Sequence, residues 1–368
     1  MLSKHDLVLR KILADVQRPS RYIGAEWNHV EKSASRASIA LAYPDVYEVG
    51  MSNLGLQILY DVINRHKSYR CERVFAPWPD MEEQMLENDL PLFTLESKKY
   101  VKKDFDIFGF SLQYELTFTN VLKMLTLASI PLRAEERDET CPLVIGGGPC
   151  VFNPEPMAPF FDLFVIGEAE EAIIEILDII ADQKEAGLSR SSREETIDRL
   201  SKLKSVYVPS IAKGAIRKRC LSNFSGYSVP TAPVVPFMET IHDRCVIEVM
   251  RGCTRGCRFC QAGIIYRPTR ERAAQKVVDG AATQSRSTGH EDVSLASLST
   301  TDHSQITEML NGLMELSTSP GASVSLPSLR CDQFSVDVAE RIATKKKRGL
   351  TFAPEAGTAR LRKVINKG

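Results

Sequence analysis

The run EVMRGCTRGCRFCQAG, Glu248 to Gly263, sets three thiols at Cys253, Cys257 and Cys260, a Cys-x-x-x-Cys-x-x-Cys spacing on which the reading of the second half of the chain turns. Thiolates this close together suit one metal cluster, and structural iron–sulfur clusters normally use four cysteines. No fourth cysteine stands at short spacing, so one iron of such a cluster would lack a protein ligand and lie open to a small molecule. Gly252 and Gly256 let the backbone fold tightly around it. Zinc is the rival metal; it takes four nitrogen or sulfur ligands, often in Cys-x-x-Cys pairs, and the nearest further candidates are His290 and His303.

Outward from this run, Val246–Met250 reads as a strand leading straight into the loop, followed by a helix over 271–286. A strand over Asp292–Leu298, a helix over 304–316, a strand over 323–326, a helix over 336–344 and a strand over 349–353 continue the alternation. Repeated β-α units predict a parallel (β/α) barrel, which works at the C-terminal ends of its strands, where the conspicuous polar residues fall. His242-Asp243-Arg244 precedes the first of these strands.

The first half also alternates short apolar runs with helical periodicity, which predicts parallel strands joined by crossover helices. The strands are Ser38–Tyr43, Glu72–Ala76, Asp106–Leu112, Leu143–Gly147 and Asp162–Gly167, with helices over 56–64, 117–129 and 170–182. Gly and polar residues follow the strands at Pro44-Asp45, Gly146-Gly147-Gly148 and Gly167-Glu168, where open α/β sheets bind ligands. No G-x-G-x-x-G stands in the first strand-turn-helix to favour a dinucleotide. Residues 1–35 form an arm with an amphipathic helix over 7–16, and 183–241 read as a linker with a small hairpin around Val206–Val229.

The cysteine spacing resembles the signature of the radical S-adenosylmethionine (SAM) superfamily, in which three cysteines hold a [4Fe-4S] cluster and SAM chelates the fourth iron. The resemblance implies that Phe259 lies near adenine, that Ser299, Thr300 and Thr301 stand where the superfamily often carries Gly-Gly-Glu for the cofactor's amino group, that Arg330 pairs with its carboxylate, and that Glu355 accepts ribose hydroxyls. Residues 36–182 resemble the cobalamin-binding Rossmann-like domain found ahead of many radical SAM domains, through DIFGFSL, VIGGGPCVFNPEP and DLFVIGEAEEAI. Asp45, Gly147 and Gly148 are the cofactor contacts implied there. Asp45-x-Tyr47-x-x-Gly50 stands where cobalamin proteins often have Asp-x-His-x-x-Gly, so cobalamin would bind without a histidine ligand, or the domain serves as a substrate platform.

The whole is similar to an uncharacterised bacterial group joining these two domains: an α/β chain with a cobalamin-binding-like parallel sheet, then a partial radical SAM barrel over 242–368. The resemblance implies reductive cleavage of SAM to a 5′-deoxyadenosyl radical, with cobalamin-linked methyl transfer as the leading reaction and a flavodoxin or ferredoxin as reductant. SLSTTDHS and SVSLPSLRCDQFS also resemble tRNA methylthiotransferases, which keeps an RNA substrate as an alternative; a non-catalytic redox relay or sensor is another. About four β-α units fit into 242–368, fewer than a six-unit barrel needs, so the expectation is a fragment of a longer polypeptide or a truncated product.

Lys plus Arg and Asp plus Glu are both 47, so formal charge is zero and no global excess points to nucleic acid or an anionic membrane. No signal-peptide pattern or run of about eighteen apolar residues occurs, and a cytoplasmic location is expected. Cys71, Cys141, Cys150, Cys220, Cys245 and Cys331 are scattered singly, as small buried hydrophobes would be.

Overall fold

The computed structural model describes residues 4–185, 193–211, 214–227, 229–316, 323–326 and 352–367. The chain forms two compact units, Met1–Leu221 with Val234–Ile241, and Ser222–Pro233 with His242–Gly368.

The first unit holds α1 (Lys4–Ile12), β1 (Ala37–Tyr43), α2 (Tyr47–Met51), α3 (Leu54–Arg65), β2 (Tyr69–Phe75), α4 (Pro79–Glu87), α5 (Val101–Asp104), β3 (Ile107–Ser111), α6 (Phe118–Leu127), β4 (Leu143–Gly147), β5 (Leu163–Val165), α7 (Ala172–Glu185), α8 (Arg193–Ser201) and β6 (Val206–Tyr207). The sheet runs β2-β1-β3-β4-β5-β6, parallel except for the edge strand β6, with Ile39 opposite both Cys71 and Ile107. Successive side chains point to opposite faces. Ala40, Ala42, Phe108, Phe110, Val144 and Phe164 join Met81, Met85, Val121 and Met124 of α4 and α6. Ile39, Leu41, Ile107, Ile145, Leu163 and Val165 join Leu56 and Ile63 of α3 and Ile176, Leu177 and Ile180 of α7. Burial on both faces makes β1, ASIALAY, apolar throughout apart from Ser38. Asn53 caps α3 by accepting from the Leu56 N–H at 2.9 Å.

Chain order reverses at β1, which is flanked by β2 on one side and β3 on the other. The crevice beyond the C-terminal ends of β1 and β3 is thus the switch point where such sheets take ligands.

The arm belongs to this unit: Leu9, Ile12, Val16 and Tyr22 enter its core. Its helix lies earlier than the expected 7–16. Glu26 accepts from Arg73 Nη2 at 2.8 Å and from the Tyr47 hydroxyl at 3.0 Å, while Arg73 Nε donates to Glu96 at 2.6 Å. The expected linker over 183–241 is corrected in part. α7 continues to Glu185, α8 follows at Arg193, and β6 pairs antiparallel with β5, where a hairpin was expected. Residues 222–233 fold with the second unit.

In the second unit, β7 (Cys245–Glu248), α10 (Ala274–Thr288), β10 (Val293–Ala296), α11 (Ile306–Leu316) and β11 (Val324–Ser325) form an arc of parallel barrel in the order β11-β10-β7. Cys245 and Ile247 face Val277 and Ala281 of α10 in the core. Gly289, at φ +78°, ends α10 in a left-handed cap. Between β7 and α10, β8 (Met250–Arg251) pairs antiparallel with β9 (Arg270–Glu271), enclosing the short α9 (Ala262–Ile265). A further helix spans Ala359–Val364. The expected helix over 336–344, most of the strand over 349–353, Arg330 and Cys331 lie outside the described residues.

Candidate metal-cluster site

The β8–β9 ladder closes the loop that carries Cys253, Cys257 and Cys260, all half-buried and none in a disulfide. Gly252 has φ +82°, and a Cβ there would sit 2.8 Å from the Tyr266 carbonyl oxygen and 2.9 Å from that of Pro268, so only glycine lets the two sides of the loop approach. Gly256 turns the chain between the first two cysteines at φ +69°. The Cys260 N–H donates to the Cys257 carbonyl at 3.1 Å, and the Gly263 N–H to Cys260 Sγ at 3.4 Å. Among the described residues no three His, Cys, Asp or Glu side chains gather as they would around a single metal ion. A cluster differs in spreading its thiolates over separate irons.

Neighbouring segments hold the ladder in place. Arg251 forks onto Glu248 at 2.8 and 2.9 Å, and Arg251 and Arg272 lie 5.0 and 4.6 Å from the Phe224 ring centroid. Buried His303 sets Nε2 3.0 Å from the Arg272 carbonyl, and its Nδ1 accepts from the Gln305 N–H at 3.0 Å, so Nε2 carries the proton. Arg255, between the first two cysteines, pairs with Asp302 beyond β10.

The hydroxyls expected to meet an amino group have different fates. Ser299 donates to Asp302 at 2.7 Å, while Thr300 lies 2.8 Å from the Ser297 hydroxyl and donates to the Leu295 carbonyl at 3.3 Å. Both are buried and donate within the chain, and each hydroxyl oxygen keeps acceptor capacity. The buried Thr301 hydroxyl has no partner among the described residues. Phe259 is 54 % exposed, with Lys367 Nζ 5.8 Å from its ring centroid, and Lys367 also pairs with Glu355 at 2.8 Å. Phe259 and Glu355 thus share one cation.

In the first unit the Tyr114 hydroxyl donates to Asp45 at 2.8 Å across the switch point, and Asn120 donates to the Pro44 carbonyl at 2.9 Å. Among the described residues, and apart from its chain neighbours, Gly147 has no atom within 4 Å of where a Cβ would be, whereas Gly148, at φ +100°, would bring one to 2.5 Å from the Leu112 oxygen. The backbone at Gly147 is therefore open to a close-lying ligand. Tyr47 is not in this crevice: it is 2 % exposed, with its hydroxyl on Glu26. Burial first, and the Glu26 carboxylate next, raise its pKa, so it stays a neutral donor. Cys71, Cys141, Cys150 and Cys245 are buried as expected, and Cys220 is half-buried.

Three cysteines on a loop at the C-terminal end of the first strand of a parallel arc, with a doubly wound domain ahead, define a chain built for an iron–sulfur cluster and SAM. The chain belongs to the radical SAM superfamily. Residues 247–368 match the family described as "Radical SAM superfamily", and residues 55–209 match "Radical SAM proteins, N-terminal". An uncharacterised protein of Methanocaldococcus jannaschii is 26 % identical over 331 residues, covering 90 % of this chain and 63 % of its own. Two structures of the radical SAM methyltransferase TsrM from Kitasatospora setae share the fold. One has cobalamin and a [4Fe-4S] cluster bound (TM-score 0.56, 13 % identity, 86 % of this chain and 58 % of that chain). The other holds tryptophan and a SAM analogue (TM-score 0.57, 12 % identity, 88 % and 60 %). The chain thus spans roughly three fifths of the length of each of these relatives. Among the described residues no helix is long and apolar enough to cross a membrane.

Proposed function

We propose that this chain supplies the cofactor-binding part of a radical SAM methyltransferase. Cys253, Cys257 and Cys260 would ligate three irons of a [4Fe-4S] cluster, SAM would occupy the fourth, and cobalamin would lie against the first unit's switch-point crevice. The observation that carries the reading is the loop itself: three thiols, free of disulfides, on a backbone whose tightest turn only glycine fits. The donor set suits a cluster, since thiolates are the ligands iron–sulfur cubanes take. Bound together, these groups supply a reducing electron, a carbon radical for hydrogen abstraction and a methyl carrier.

The chain's own residues bind and orient. The Gly263 N–H aimed at Cys260 Sγ orients that sulfur and would tune the potential of whatever it ligates. Thr301, whose buried hydroxyl has no partner among the described residues, would accept from the SAM amino group, while Ser299 and Thr300 already donate within the chain. Exposed Phe259 offers a ring face to adenine. Glu355, tethered by Lys367, offers carboxylate oxygens to ribose hydroxyls. In the first unit, Gly147 leaves room beside the backbone and Asp45 and Tyr114 supply polar groups, while Tyr47 faces the core. Cobalamin would accordingly bind with no histidine from the Asp-x-His position.

Anaerobic reconstitution with iron and sulfide tests this. The chain is expected to take up about four irons, to show thiolate-to-iron absorbance, and to release 5′-deoxyadenosine from SAM under strong reductant. Cys257→Ala is expected to lose the absorbance while the first unit keeps its circular dichroism. Unchanged absorbance in that variant, or one metal ion per wild-type chain, would overturn the assignment.

A further inference from the structure

We propose that Asp302 and Asn366 are positioning residues that grip the Cys253–Cys257 span from two sides through one residue, Arg255. Arg255 is the middle of the three residues between these cysteines. Its guanidinium forks onto Asp302, 47 positions along the chain, with Nε 2.7 Å from Oδ2 and Nη2 on Oδ1. The carboxylate is itself aimed: Ser299 Oγ donates to Oδ2 at 2.7 Å and the Asp302 N–H donates to the Ser299 carbonyl at 3.1 Å, a reciprocal pair that fixes the turn after β10. Only 9 % of the Asp302 side chain is exposed, against 27 % for Arg255, so the pair is shielded on the carboxylate side.

The second grip comes from beyond the helix Ala359–Val364. Asn366, at φ +56°, points its Nδ2 at the carbonyls of Arg255, 3.3 Å away, and Gly256, 3.0 Å away. The Arg258 N–H donates to the Ile365 carbonyl at 3.0 Å alongside. Gly256 makes this geometry available, since its positive φ turns the chain beside the carbonyls that Asn366 collects. Arg255 is thus held at its side chain by the end of one barrel strand and at its carbonyl by a segment more than a hundred residues later. A planar fork fixes direction as well as distance, which a lysine or a neutral amide would not. What it fixes is the path between two thiols that must converge on one cluster. The inference rests on the reading of this loop as the cluster loop.

The test uses the full chain with Asp302→Asn, Arg255→Lys, Asn366→Ala, and the Asp302→Asn/Asn366→Ala pair. In the metal-free protein, hydrogen exchange at amides 253–260 is expected to rise about tenfold in each single change at 302 or 366, the scale of one charge-assisted or paired hydrogen bond, with exchange in α10 and β10 unchanged. Arg255→Lys, which keeps the charge and loses the fork, is expected to fall between wild type and Asp302→Asn. After reconstitution, the reduced cluster's electron paramagnetic resonance line shape is expected to broaden in the 302 and 366 variants, and a chelator to bleach them faster, the pair fastest. Unchanged exchange at 253–260 with unchanged spectra would overturn the proposal. So would an equal rise throughout the second unit, which would make Asp302 a general strut. If wild type itself takes up no cluster, the cluster assignment has failed, and the metal-free exchange still decides whether these residues hold the loop.

Discussion

Gly252→Ala isolates the one backbone position on which the closure of the cysteine loop depends. At φ +82° an alanine carries a left-handed penalty of about 1–2 kcal/mol. Its methyl would also stand 2.8 and 2.9 Å from two carbonyl oxygens and 3.0 Å from the Thr269 Cα, all backbone atoms that no rotamer change can move. Forcing such contacts apart costs about 1–3 kcal/mol more, and the stiffer unfolded chain returns about 0.4–1 kcal/mol. The net expectation is about 2–4 kcal/mol, concentrated on the β8–β9 ladder. Gly256→Ala is the internal control: its φ of +69° carries the same kind of strain, but its methyl would find only side-chain nitrogens at 3.5 and 3.7 Å. Its net cost should be about 1 kcal/mol. Native-state hydrogen exchange at the Arg272 amide, which donates to the Val249 carbonyl at 2.8 Å, reads the difference directly. At 1.4 kcal/mol per decade, Gly252→Ala should speed exchange there by about 30- to 700-fold and Gly256→Ala by about fivefold. Equal effects from the two alanines would show that the close approach of Tyr266 and Pro268 is not what closes the loop.

Three further outcomes are expected. Burial lifts the Asp61 carboxyl to about 6, against the opposing pull of Arg65, so the folded state holds a proton that the unfolded state has released; this stability is present below pH about 4 and lost as pH rises through 6. Asp61→Asn should therefore raise the unfolding free energy from urea titration at pH 7.5 by up to about 2 kcal/mol, and the gain should vanish near pH 4.5; a gain independent of pH would refute the titration. Thr301→Val removes a buried hydroxyl that has no partner among the described residues, so stability should hold or rise slightly while the dissociation constant for SAM, measured by calorimetry on reconstituted protein, increases about tenfold. Tyr47→His places an imidazole in the core beside Arg73, so the absorbance of added hydroxocobalamin should show no new histidine ligation while thermal stability falls by about 1–3 kcal/mol; a shift to a histidine-ligated spectrum would mean that position 47 faces the crevice.

Most of the first sheet was legible because its strands are covered on both faces and read as unbroken apolar runs, and β4 falls at its expected bounds, Leu143–Gly147. α8 and β6 were read as linker for physical reasons. α8 is polar and buries only Leu200, and β6 contributes two residues whose partner strand lies some forty positions earlier. The cysteine loop announced itself by spacing alone. Its supports did not, since Arg255 and Asp302 become partners only once β10 lies beside β7. The turn at Ser299 and Thr300 shows the converse: a hydroxyl that caps its own turn and one that awaits a ligand are the same letters. Tyr47 resembled a lost ligand by motif, yet its partner Glu26 comes from an arm whose packing no local pattern reveals.

The weave of residues 222–241, the first part in one unit and the second in the other, bears on how the module could be transplanted. A graft beginning at His242 would arrive without Phe224, leaving the guanidiniums of Arg251 and Arg272 above a void, and without Val229, whose methyl fills the notch at Gly280. It would also lose the Pro230 carbonyl that accepts from Gln284 at 2.8 Å. Any chimera that exchanges the cysteine-bearing half should be spliced upstream of Ser222, so that this borrowed strip travels with its host.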